Sequence, residues 1–189
     1  DGAEIINRQI EENILTYVQS HAKHLTIDNL KSDFQNSIAT VEGVCSELVA
    51  AVELNTNGIL SVLFYHVEAE YDSPGSVLTL TYHHFRTDNG QVIVLTDIIQ
   101  SDRIDDLAVI VQQALEKKYA DNQLEYVKGV FSLSDNFSMM PNGLLFQYNA
   151  HEISISLPEL PSVFLSYCDM EDMLNTESIA YPMIQNGLF

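Results

Sequence analysis

Tryptophan is absent, cysteine occurs twice, and only 8 basic residues stand against 27 acids, for a formal net charge of −19. Each scarcity excludes something. Two cysteines, Cys45 and Cys168, are too few for a disulfide scaffold and lack the spacing of a zinc knuckle or a CxxC redox pair. One bridge or two buried thiols are both open. The shortage of Lys and Arg makes nucleic acid and anionic membrane surfaces poor partners, because a field of this sign repels phosphate. The same field draws in a basic protein, although acidic surfaces also simply keep proteins soluble. No apolar run reaches the roughly 18 residues of a spanning helix. No Pro/Gly/Ser linker, internal repeat or low-complexity segment divides the chain. The chain begins at Asp1 with no basic-then-apolar leader, so either an export signal was removed or the chain was cut there.

What remains is an ordinary globular composition, 46% hydrophobic over 189 residues, enough for one core. Ile6, Ile10, Ile14 and Tyr17 recur at helical spacing and predict a first helix over Ala3 to Ser20. Thr26 as N-cap, then Ile27, Leu30, Phe34 and Ile38, predict a second that stops before Gly43. From Glu47 the period becomes two. Strands are expected from Glu47 to Leu54, Ile59 to Tyr71, Ser76 to Phe85 and Gln91 to Leu95, joined at Asn57-Gly58, Asp72-Ser73-Pro74-Gly75 and Asp88-Asn89-Gly90. Leu48, Ala50, Val52 and Leu54 are assigned to one face, and the Ile59 to Tyr71 strand one buried and one wet face. Asp102 as N-cap, a stripe of Ile104, Leu107, Val111 and Leu115, and Lys117 and Lys118 in the last turn predict a central helix. Phe137 to Met140 and Leu144 to Tyr148 form a hairpin about Pro141-Asn142-Gly143. Val163, Leu165 and Tyr167 make a closing strand, and Asp169 to Leu174 a short acidic helix. The class is α+β: an antiparallel sheet (meander plus C-terminal hairpin) packed by two N-terminal helices and one central helix. A single domain with lobes of about 1–99 and 100–174 is expected, and residues 175–189 read as a tail.

Signatures of chemistry are missing: no GxxxxGK[ST], GxGxxG, HExxH, GxSxG or calcium loop occurs. His66 and His83 sit on strands joined near Pro74, in a register expected to place them opposite or diagonal. A metal there would need a third ligand such as Glu68, and packing is the plainer role for both histidines. His84 faces the other way. Glu68 and Glu70 share the His66 face, where strand alternation ordinarily leaves carboxylates in water. The aromatics Tyr65, Tyr71, Tyr82, Phe85, Phe146 and Tyr148 can line a groove or fill a core.

The segment Asn136-Phe137-Ser138-Met139-Met140-Pro141-Asn142-Gly143-Leu144-Leu145-Phe146-Gln147-Tyr148-Asn149-Ala150-His151-Glu152-Ile153 resembles the RsiV/PdaC-type extracytoplasmic C-terminal domain family. That family has a phenylalanine strand, a turn with glycine, a Gly-Leu-Val-Phe-like strand and an Asn-Pro-Tyr-Glu-Ile-like end. Asn89-Gly90-Gln91 with Leu95-Thr96-Asp97-Ile98-Ile99 resembles its lead into the long helix, and the likeness covers about residues 47–174. Where many members have Tyr-x-Gly-Gly-Ala-His, this chain has Tyr71-Asp72-Ser73-Pro74-Gly75-Ser76, without the histidine; Ala150-His151 replaces the proline-tyrosine. The resemblance implies a non-catalytic binding or sensing domain, exported to the periplasm or the cell surface as a bacterial lipoprotein. It would touch membrane only through a removed N-terminal lipid anchor. No cofactor is implied. The implied partner is a basic protein such as lysozyme or a peptidoglycan fragment; the resemblance supplies no contact residues, and the candidate binding residues of this chain are Tyr71, Tyr82, Phe146, Tyr148, His151 and Glu152. The rival reading is an enzyme or metal-dependent accessory domain of cell-wall polysaccharide metabolism built on His66 and His83, and a third is a purely structural module.

Overall fold

A computed structural model describes residues 1–21, 44–70, 76–122, 124–127, 129–154, 157 and 160–187. The expected second helix, Tyr71 and the Asp72–Gly75 turn lie outside the described residues. Helix α1 runs Gly2–His21, followed by β1 (Val44–Thr56), β2 (Ile59–Glu70) and β3 (Ser76–Arg86). A helical turn α2 (Leu95–Ile98) and a 3-10 turn (Ser101–Arg103) lead into α3 (Ile104–Lys118). Strands β4 (Phe137–Met140), β5 (Gly143–Gln147) and β6 (Ser162–Ser166), a 3-10 helix (Tyr167–Met173) and α4 (Tyr181–Gly187) complete the order. Two antiparallel sheets, β1-β2-β3 and β4-β5-β6, make the fold α+β.

The first sheet is covered from both sides only around Ile59 to Phe64 and the paired end of β3, while most of β1 stays exposed. On one face Val62, Phe64 and Phe85 pack with Ile6 of α1, and Ile10 and Ile14 close over them. On the other, Ile59 and Leu54 enter the larger core. Leu54 gets there through a bulge. Val52 pairs with Val62 but Leu54 pairs with Ser61, so Glu53 is an extra residue and Leu54 turns to the face opposite Val52. Strict alternation had put both on one face. Val52 is left 63% exposed while Leu54 is buried.

The larger core gathers Leu107, Val111 and Leu115 from α3 with Phe137, Met139, Leu144, Phe146, Val163 and Leu165 from the second sheet. The α3 stripe is the one its periodicity predicts, and Lys117 and Lys118 occupy its last turn. Its start differs: the Ser101–Arg103 turn precedes it and Arg103 holds the cap position without a side-chain bond, so Asp102 is not the N-cap. Gln91 to Leu95 does not form a fourth strand. Only Val92 bridges Phe85, and Leu95 already opens α2, where the Asp97 carboxylate accepts from Val94 N. The closing acidic helix is a 3-10 run that begins earlier, at Tyr167, capped by Ser166.

Residues 176–187 are not a tail. Ala180, Met183 and Ile184 are buried in the larger core. The helix that carries Met183 and Ile184 is only 7 residues long and has Pro182 in its first turn, so no extended helical period announces it.

Candidate functional site: a pocket beside the Asn149–Glu152 turn

The last residues of β5 lead into a tight turn. Glu152 N donates to Asn149 O at 3.0 Å, and Asn149 N donates back to Glu152 Oε2 at 2.7 Å, so the turn fixes the Glu152 carboxylate. His151 takes the left-handed position with φ 61°, leaving its side chain and that of Glu152 exposed. Immediately before the turn Tyr148 points inward, 1% exposed, and its hydroxyl donates to Ser132 O at 3.3 Å. Burial pushes the Tyr148 hydroxyl up from its ordinary value, and the Glu152 charge adds to the effect.

Tyr148 and Glu152 line one shallow pocket of about 80 Å³ together with Val127, Val130, Ser132 and Ile153. Val127 and Val130 stand on its rim at 49% and 67% exposure. The floor is backed by an aromatic chain, Tyr126 against Phe131 at 5.9 Å and Phe131 against Tyr148 at 6.4 Å. Tyr126 donates to Glu116 Oε1 at 2.8 Å, and burial followed by that carboxylate raises its hydroxyl to about 12.

The other predicted site residues are scattered. Phe146 is wholly buried and belongs to the core rather than to a binding surface, because both faces of β5 are covered. Tyr82 lies half-buried on β3, raised by burial and by Glu53 across the sheet. The register separates the two histidines: His66 pairs with Thr79 and His83 with Val62. They share a face but stand four positions apart, roughly 13 Å along the strands, because Ala69 pairs with Ser76 and the strands turn earlier than either expected register. His83 packs instead between Phe64 at 5.2 Å and Phe85 at 6.3 Å, and burial lowers its pKa. Among the described residues no group of three or more His, Cys, Asp or Glu side chains is placed to hold a metal ion.

Three polar connections that sequence reasoning missed hold the pocket against the first sheet. Asn136 imitates a strand residue: its Oδ1 accepts from Tyr82 N at 2.9 Å and its Nδ2 donates to Leu80 O at 2.8 Å. Asn149 Oδ1 accepts from Leu80 N at 2.9 Å. His84, 2% exposed, uses both ring nitrogens, with Nε2 2.7 Å from Phe137 O and Nδ1 2.6 Å from Ser61 Oγ. Since a carbonyl oxygen only accepts, Nε2 carries the proton and Nδ1 accepts from the Ser61 hydroxyl. This Ser–His contact is sealed from solvent, since Ser61 is 0% exposed. It ties β3 to β4, and a substrate cannot reach it.

No family model matches the sequence, and no curated protein matches it. The fold does have relatives among solved structures. A DUF3298 family member from Bacteroides fragilis is similar with a TM-score of 0.66 and 18% identity, covering 96% of this chain and 72% of that one. A DUF3298 family protein from Pseudomonas aeruginosa is similar with a TM-score of 0.66 and 14% identity, covering 90% of this chain and 79% of that one. The chain therefore has the fold seen in bacterial proteins of the DUF3298 family, a domain family of unknown function.

Proposed function

We propose that this is a non-catalytic binding or sensing domain that works outside the cytoplasm and recognises a basic protein of the lysozyme kind. The observation that carries the reading is the convergence of Tyr148 and Glu152 on one small pocket, with the Glu152 carboxylate fixed by Asn149 N and His151 exposed on the same turn. Catalysis by acid and base requires two titrating groups held in a cleft with their pKa values pushed apart. The pocket holds one carboxylate and a tyrosine whose hydroxyl is engaged with a backbone oxygen. The separation of His66 from His83 takes away the pairing on which a metal-dependent reading rested. Three further supports are the net charge of −19, the resemblance of residues 136–153 to the RsiV/PdaC type, and the fold shared with bacterial DUF3298 proteins. Export, and attachment through an N-terminal lipid, come from the resemblance and belong to this proposal.

Titration of the domain with lysozyme in a calorimeter, at low and at moderate salt, tests the reading. Saturable heat that survives moderate salt is expected, because a specific interface retains its apolar contacts when long-range attraction is screened. Heat that disappears with salt, or none, would count against lysozyme-like partners.

A further inference from the structure

Resting on that reading, we propose that the pocket between Tyr148 and Glu152 is a socket for a lysine side chain of the basic partner. Size comes first. At about 80 Å³ the pocket is well below the roughly 300–1,000 Å³ of ordinary small-molecule sites, so it takes a side-chain end rather than a sugar ring. Its chemistry then selects the charge. One Glu152 oxygen is held by Asn149 N, which leaves the other for an occupant. The Tyr148 proton is directed to Ser132 O, so this nearly buried hydroxyl does not bring a donor to the occupant. Among the described residues, no basic side chain lines the pocket. Arg86, Arg103 and Lys118 are engaged elsewhere, with Asp88, with Asp106 and Asp172, and with Ser162 O. Lys128 lies outside the described residues. The Glu152 carboxylate repels an anion, and its oxygen not held by Asn149 N, like the Ser132 hydroxyl, has lone pairs for a charged donor. The walls select the rest: Val127, Val130 and Ile153 offer aliphatic surface to a methylene stem, and the ammonium end meets the carboxylate, which is how lysine divides itself between apolar and charged surroundings.

The test uses the domain as it stands, isotope-labelled and titrated with Nα-acetyl-lysine methylamide, with the norleucine analogue as a probe of equal stem and no charge. Amide shifts at Val127, Val130, Glu152 and Ile153 are expected to saturate with the lysine probe, and the norleucine probe should bind about tenfold more weakly or worse. Glu152→Gln keeps an acceptor for Asn149 N and so preserves the turn, yet should lose about tenfold for the lysine probe alone. Equal binding of the two probes, shifts elsewhere, or an indifferent Glu152→Gln would overturn the socket. The two proposals fail separately. Lysozyme heat that survives moderate salt while the lysine probe leaves these amides unmoved refutes the socket and spares the partner. Probe binding without lysozyme binding refutes the partner and spares the socket.

Discussion

Gly143→Ala should destabilise the domain by about 3 kcal/mol, because an added methyl group there meets backbone that cannot step aside. Gly143 opens β5 and lies between Met140 of β4 and Ser166 of β6. A Cβ there would overlap the Leu165 backbone oxygen and come within 2.5 Å of Phe164 Cζ. The Phe164 ring is partly exposed and can swing aside, but the oxygen belongs to β6, so relief requires the strands themselves to part. That would loosen Leu144 and Leu165, which pair across the same ladder and are both buried in the larger core. Conformational freedom is not the reason for this glycine; space is. Gly129 supplies the contrast, with φ +72° and nothing within 4 Å of an added Cβ, so Gly129→Ala should cost only about 1 kcal/mol. Urea unfolding of both variants measures the difference. A Gly143→Ala midpoint indistinguishable from that of Gly129→Ala would mean that β5 and β6 do not approach as closely as described.

The second large effect is set by pH. His84 is buried where only its neutral form is comfortable, and burial, with a smaller push from His83, lowers it from 6.5 to about 4, although the bond to Phe137 O works the other way. Above pH 6.5 both folded and unfolded chains carry this residue neutral, and it contributes nothing to pH dependence. As pH falls below 6.5, the unfolded chain binds a proton that the folded chain refuses until about pH 4. Stability is therefore present above that window and lost through it, by about 3 kcal/mol in all. Falling pH also neutralises carboxylates and eases the self-repulsion of a chain at −19, so the wild-type slope mixes two effects. His84→Gln separates them, since its amide keeps a donor for Phe137 O and has no proton to take up. Between pH 7 and 4.5 the wild type should lose about 2–3 kcal/mol more than the variant in chemical unfolding. Equal losses would mean that His84 is not shielded from solvent as its place between β3 and β4 requires.

Much of this architecture was legible because periodicity reports burial. Ile6, Ile10 and Ile14 do face one sheet, the α3 stripe does enter the core, and Pro141-Asn142-Gly143 does turn a hairpin. Periodicity failed where one extra residue resets it. The bulge at Glu53 moves Leu54 to the other face without altering composition, and the β2–β3 register, which decides whether His66 meets His83, depends on which pair closes the ladder. Short elements failed for a related reason: α4 buries Met183 and Ile184 in a core that other segments build, so its own 7 residues carry too little pattern to announce it.

The site was legible at its centre and not at its edges. Tyr148 and Glu152 were found through the motif that ends in Glu152-Ile153, and the structure brings them to one pocket. Phe146, found by the same route, is core, because a motif records a strand and not which of its faces is free. Val127, Val130 and Ser132 lie in a connection with no period, and their exposure becomes meaningful only once β5 is placed behind them. The asparagines were quoted as part of the motif, but their bonds to Leu80 and Tyr82 span more than 50 positions of chain, and local pattern cannot report them.

The central claim, that a basic protein is recognised at the Tyr148–Glu152 pocket, is tested most directly by mapping lysozyme on the isotope-labelled domain residue by residue. Shifts should concentrate at Val127, Val130 and Ser132 and from Tyr148 to Ile153, and should persist at moderate salt. Shifts confined to α1 and the sheet face it covers, or spread evenly over acidic surface and erased by salt, would contradict it.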